Sequence, residues 1–151
     1  MTREAIKRLE AHNIRPSAQR ISIMEYLLTH RTHPTVDTIY NDLVEKMPTL
    51  SKTTIYNTLK LLEEQKAIME LTIDKKTVHY DGMTMPHSHF MCKKCGKIID
   101  IPLPEMDCEQ KDCDFVVDEA EVYYRGYCKD CMESENQQNK IINKNINELN
   151  P

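Results

Sequence analysis

The stretch Ser51–Asp81, SKTTIYNTLKLLEEQKAIMELTIDKKTVHYD, decides the fold of the front half of this chain, because it reads as a helix followed by a hairpin. Ser51 caps the helix, Ile55, Leu59 and Leu62 form its buried side, and Lys52, Thr53, Tyr56, Asn57 and Lys60 form one continuous polar face opposite. Ala67–Ile73 and Thr77–Asp81 flank the turn Asp74-Lys75-Lys76, which predicts a short hairpin with a basic tip. Upstream, apolar spacing predicts three more helices. The first carries Ile6 and Leu9 and ends at Asn13 and Arg15-Pro16; the second is capped by Ser17 and carries Ile21, Met24, Leu27 and Leu28. The third, capped by Thr35, carries Val36, Ile39, Tyr40 and Leu43 and stops before Pro48. Short helices, then a helix with a polar face, then a basic-tipped hairpin is the order of a winged helix-turn-helix. On any one helix such a face is more often simple solvated surface, and it is the order of elements that favours DNA. Lys52, Thr53, Tyr56, Asn57 and Lys60 then face base edges in the major groove, while Lys75 and Lys76 lie along phosphates. Arg15 and Arg20 flank the start of the second helix, where phosphate contact and a capping or solvent role remain open.

Downstream, Asp81–Asp100 reads DGMTMPHSHFMCKKCGKIID and places two imidazoles, two thiols and two carboxylates within twenty residues. Cys92 and Cys95 form a Cys-x-x-Cys knuckle, matched by Cys128 and Cys131 further on. Each two-residue spacer lets a tight turn aim both sulfurs at one ion, so paired knuckles point to a closed four-thiolate structural zinc site. His87 and His89 leave the same face of an extended segment. Asp81 and Asp100 bracket them with hard oxygen donors, a mixed set suited to Fe(II) or Mn(II), with two solvated surface histidines as the plainer alternative. Phe90–Cys92, Lys97–Ile101 and Phe115–Tyr127 are rich in β-branched and aromatic residues, and a short helix fits Glu105–Lys111. The back half is therefore expected to be a small α/β domain pinned by its thiolates. Cys108 and Cys113 fall outside both knuckles and read as two ordinary reduced thiols or, less readily, as a redox pair.

The chain has 151 residues, enough for one ordinary domain or two small ones. No long apolar run or export signal is present, so the expectation is a cytoplasmic protein without a membrane partner, whose cysteines stay reduced. A net charge of −4 gives no sign of nucleic-acid binding by itself. Residues 1–80 carry 12 basic against 10 acidic side chains and the remainder 8 against 14, which suits a DNA-facing front half and a cation-binding back half. The boundaries expected are a winged helix over 1–81, a hinge over 82–86, an α/β dimerisation and metal-binding domain over 87–132, and a disordered Asn/Gln-rich tail over 133–151.

These motifs together resemble the ferric uptake regulator family of metal-dependent repressors, and most closely its peroxide-responsive members. The resemblance runs from about Arg3 to Met132 and rests on IRPSAQR (14–20), THPTVDTIY (32–40), SKTTIYNTLK (51–60), HSHFMCKKCGKIID (87–100) and YCKDC (127–131). It implies a homodimeric repressor of an A/T-rich palindromic DNA operator, with Lys52–Glu64 as recognition helix and Tyr56 as a base-reading side chain. It also implies that Cys92, Cys95, Cys128 and Cys131 hold structural zinc, and that His33, Asp81, His87, His89 and Asp100 hold regulatory Fe(II) or Mn(II). His33 enters only through the resemblance. Aspartate at position 100 resembles the peroxide sensors, where iron-responsive relatives tend to carry glutamate. Two departures stand out: Ala120-Glu121 replace the histidine that serves an additional metal site in some relatives, and the segment between Asp100 and Cys128 is a few residues short.

The resemblance further implies that hydrogen peroxide oxidises His33 or His87 when iron is bound, opening the hinge and ending repression. An iron- or zinc-responsive uptake regulator shares nearly every feature. A non-haem iron enzyme is the remote alternative, weakened by ligands spread over two domains and by the lack of a substrate-binding motif, and the expectation is that the chain is not an enzyme. A zinc-stapled interaction module without DNA binding is a third, blander alternative.

Overall fold

A computed structural model describes residues 1–105 and 115–137. The chain divides into two compact units between Pro86 and His87.

In the first unit α1 (Thr2–Ala11), α2 (Ala18–Thr29), α3 (Val36–Leu43) and α4 (Lys52–Glu64) precede a two-stranded wing, β1 (Met69–Leu71) and β2 (His79–Asp81). Three helices begin in the same way: Ser17, Thr35 and Ser51 each accept the backbone N–H of the residue three further on. Each cap satisfies a donor that the helix itself leaves unpaired, contributing about 1 kcal/mol. Leu9, Ile23, Met24, Leu27, Ile39, Ile55, Leu59 and Leu62 are fully buried and form one core. Ala5 lies in that core on α1, whereas Ile6 is only half-buried.

Helices α1 and α4 also end alike. Asn13 and Lys66 take φ values of 58° and 56°. The next amide then reaches back to the helix, Ile14 to the Leu9 carbonyl at 2.8 Å and Ala67 to that of Leu62 at 2.8 Å. Both reversals drop an apolar residue, Ile14 or Ala67, into the core. The wing pairs Met69 with Asp81, Glu70 with Tyr80 and Leu71 with His79. Its strands are shorter than the expected Ala67–Ile73 and Thr77–Asp81, because Ala67 and Ile68 are used as core plugs before pairing begins.

In the second unit β3 (Ser88–Cys92) lies between β4 (Ile98–Ile101), antiparallel to it, and β5 (Tyr123–Gly126), parallel to it. Residues 129–137 are helical. The first knuckle is the β3–β4 turn. Cys92 N–H donates to the Lys97 carbonyl at 2.9 Å and Gly96 N–H to that of Cys92 at 2.9 Å, with Gly96 supplying the required positive φ of 74°. The fold is therefore α+β, a winged helix followed by a small α/β unit carrying a four-cysteine cluster.

Further differences from the sequence expectation lie in this unit. Of Phe115–Tyr127 only Tyr123–Gly126 is strand; residues 115–121 are exposed without regular structure, their Asp118, Glu119 and Glu121 leaving no alternating apolar face to bury. Of the tail expected at 133–151, residues 133–137 instead continue the helix, and the rest lies outside the described residues. Cys108, Cys113 and all of the helix expected at Glu105–Lys111 except Glu105 also lie outside them.

Candidate metal centres and nucleic-acid face

Cluster formation by the four thiols follows from strand pairing. Lys93 N–H, just past Cys92, donates to the Gly126 carbonyl at the end of β5 at 2.7 Å, so the second knuckle is delivered beside the first. Met132 N–H returns to the Cys128 carbonyl at 3.0 Å and winds that knuckle into a helical turn. All four sulfurs lie within 4.8 Å of one another, none in a disulfide. Cys95 Sγ and Cys128 Sγ are 3.8 Å apart. Four sulfurs about 2.3 Å from a tetrahedral ion would be separated by about 3.8 Å, so the donor set fits zinc in number, softness and spacing.

Protons are distributed unevenly over the cluster. Backbone N–H groups of Cys95 and then Cys128 aimed at the Cys92 sulfur pull that thiol down to about 6. Cys128 N–H lies 3.4 Å from it. Hydrogen bonding to the Cys128 side chain, followed by burial, pushes the Cys131 thiol up to about 12. Backbone donors around Cys92 therefore favour its thiolate, the form in which a thiol serves a soft cation.

The nitrogen and oxygen donors occur in two groups. In the first unit His33, 3% exposed, sits just before Pro34 with φ of 53°. Its Nε2 is 3.6 Å from Asp81 Oδ2 at the end of β2, while Asp81 Oδ1 accepts the Met83 N–H at 2.7 Å. In the second unit His89 on β3 faces its register partner Asp100 on β4. Asp100 Oδ1 is 3.4 Å from His87 Nε2 and 3.5 Å from His89 Nε2, and the two imidazole centroids are 4.3 Å apart. Such distances are long for hydrogen bonds. They match donors sharing an ion, since two ligands about 2.1 Å from a cation lie about 3.0–3.5 Å apart.

On the candidate nucleic-acid face Tyr56 is 53% exposed, and Thr53 and Asn57 are exposed beside it. Lys52 and Lys60 are exposed but engaged. Lys52 Nζ contacts Asp37 Oδ1 at 2.8 Å and lies 5.5 Å from the Tyr40 ring centre, while Lys60 reaches Glu64 at 4.0 Å. Between the start of α2 and α4 runs an open groove of about 540 Å³, lined by Arg15, Gln19, Arg20, Thr54 and Asn57 among others. Arg20 Nη1 donates to the Arg15 carbonyl at 2.8 Å, so the two arginines are held together. Lys75 and Lys76 are exposed at the wing tip. Gln19 and Thr54 were not singled out from sequence, where nothing marks two helices as sharing a groove. His79 was also missed: its Nδ1 lies 2.7 Å from the His33 carbonyl oxygen. Its signal was alternation, since His79 and Asp81 leave the same face of β2.

Comparison with known proteins gives a consistent result. The profile described as the ferric uptake regulator family matches residues 11–125. The chain is 36% identical to the peroxide-responsive repressor PerR of Staphylococcus epidermidis, over 88% of this chain and 91% of that one. It is likewise 36% identical to the peroxide operon regulator of Bacillus subtilis, over 89% of this chain and 95% of that one. The fold is similar to that of the ferric uptake regulator Fur of Helicobacter pylori, with a TM-score of 0.71 at 23% identity over 87% and 94% of the two chains.

Proposed function

The chain belongs to the ferric uptake regulator family, and from that premise we propose that it is a metal-dependent homodimeric repressor of transcription that senses hydrogen peroxide. The reading is carried by one observation: oxygen and nitrogen donors stand at co-ligand spacing in each unit, His33 with Asp81 and Asp100 with His87 and His89. Either group alone leaves a first-row divalent cation short of donors. We take both groups to bind one Fe(II) or Mn(II) jointly, across a hinge at 82–86, with structural zinc held separately by Cys92, Cys95, Cys128 and Cys131.

In this scheme His33 and Asp81 tie the winged helix to the ligands that follow the hinge, and orient it for a palindromic A/T-rich operator. The cation favours that arrangement only by as much as it prefers the closed ligand set. Tyr56, Asn57 and Thr53 read bases; Arg15, Arg20, Lys75 and Lys76 contact phosphates; Lys52 and Lys60 add charge at the rim. Iron, if held by His33, Asp81, His87, His89 and Asp100, would supply the redox chemistry that cleaves peroxide, so that one peroxide oxygen would replace a hydrogen on an imidazole carbon and the other would leave as water. The ring that gains oxygen, His33 or His87, becomes a poor donor and releases its unit. Phe115, Val116 and Tyr127, which are 59%, 90% and 54% exposed, support a partner surface on the second unit. No helix of the described residues is long and apolar enough to cross a membrane. The cytoplasm, where DNA and reduced thiols coexist, is the proposed site of action.

The test uses a duplex selected from a random pool by the Mn(II)-loaded protein. Peroxide should abolish binding by the Fe(II) form, with a one-oxygen gain at His33 or His87 by peptide mass spectrometry, and leave the Mn(II) form bound. Repression that follows zinc, or survives peroxide in the iron form, rejects the sensor.

A further inference from the structure

We propose that His79 is a positioning residue that joins the metal-ligand segment at His33 to the tip of the wing; the inference rests on the reading of His33 as a ligand of the regulatory cation. The strand β2 grips residues 33 and 34 with three successive residues. His79 Nδ1 lies 2.7 Å from the His33 carbonyl oxygen, Tyr80 N–H donates to the Pro34 carbonyl at 3.0 Å, and Asp81 Oδ2 stands 3.6 Å from His33 Nε2. A carbonyl oxygen only accepts, so Nδ1 of His79 carries the hydrogen. His33 needs this support because its φ of 53° lies in the left-handed region that side chains disfavour. Without a donor fixing its carbonyl, the peptide is free to relax and the imidazole swings away from Asp81.

The other edge of the same ring faces the wing turn. His79 Nε2 is 3.5 Å from Asp74 Oδ2, and Asp74 Oδ1 accepts the Lys76 N–H at 2.9 Å, which shapes the turn presenting Lys75 and Lys76. The His79 side chain is 16% exposed and that of Asp74 29%, so the bond to the His33 carbonyl is the enclosed one, while Asp74 meets the ring edge by packing at the surface. One imidazole therefore stands between the backbone of a ligand residue and the carboxylate that organises two phosphate-facing lysines. Tension on His33 at metal binding reaches the wing through a single rigid ring.

The experiment compares the full-length, zinc-loaded protein with His79→Phe, which removes both contacts, and His79→Asn, whose amide keeps a donor at the Nδ1 position but falls short of Asp74. Mn(II) affinity is titrated without DNA, and operator affinity is measured at saturating Mn(II) over a range of salt. We expect His79→Phe to bind Mn(II) about tenfold more weakly, and His79→Asn to return within about twofold of wild type. Operator binding by His79→Asn should stay weakened, with a salt slope shallower by about 1, as for one lost phosphate contact. Should His79→Phe fail to fold, the separation of the two readouts in His79→Asn decides alone. Equal behaviour of His79→Asn and wild type at the operator, or loss of Mn(II) affinity in both variants, overturns the positioning role. A wild-type protein indifferent to Mn(II) would instead sink the regulatory reading itself.

Discussion

Gly82 follows the carboxylate of Asp81 and has no room for a side chain. A Cβ there would lie 2.8 Å from the Leu27 carbonyl oxygen, a backbone atom in α2 that cannot swing aside. Arg8 also donates to the Gly82 carbonyl at 3.2 Å. Gly82→Ala should therefore cost about 1–3 kcal/mol in chemical denaturation, and weaken metal binding through the displaced Asp81. Tyr26 illustrates a titration. Burial, then the hydrogen bond it donates to Asp42, raises its hydroxyl well above the ordinary tyrosine range. A raised acid contributes stability that is whole below the unfolded value near 10 and is lost as pH climbs toward the folded one. Tyr26→Phe should thus lose about 1 kcal/mol at neutral pH. Its stability should also fall less steeply than that of wild type between about pH 10 and pH 12, as read from denaturation midpoints. Both effects were hidden in the sequence, because they depend on partners distant along the chain.

Among elements, helices were the most legible and strands the least. Ser17, Thr35 and Ser51 announced helix starts because a capping oxygen and the backbone N–H it accepts from are three residues apart. The wing and β5 came out shorter than expected, since a strand ends where its neighbour stops pairing, and that is not a local property. The knuckles were legible from spacing alone; His33 was recognised only by resemblance, and His79 not at all, since their partners lie on another element. Lys66, left-handed at the end of α4, offers a direct check: Lys66→Gly should raise stability by about 0.5–1 kcal/mol in the same denaturation assay. Lys52 offers another. Freed from Asp37 in an Asp37→Asn variant, it should bind operator DNA more tightly at low salt, with a salt slope steeper by about 1.

At the scale of the molecule, two units with separate means of stabilisation should fail separately. The first has its own apolar core, whereas the second has a three-stranded sheet with no strand-β4 residue fully buried and relies on its thiolates. A chelator with a thiol-blocking reagent should melt the second unit while the four helices keep their circular dichroism and their cooperative unfolding. The parallel pairing of β5 with β3 carries one more consequence, for biogenesis. On a ribosome the winged helix is complete before Cys128 emerges, and until then Cys92 and Cys95 lack the second knuckle. A nascent chain of this protein can therefore hold a folded winged helix before its four thiols can meet, and stalled or truncated products would carry a second unit without its thiolate cluster, a target for proteolysis.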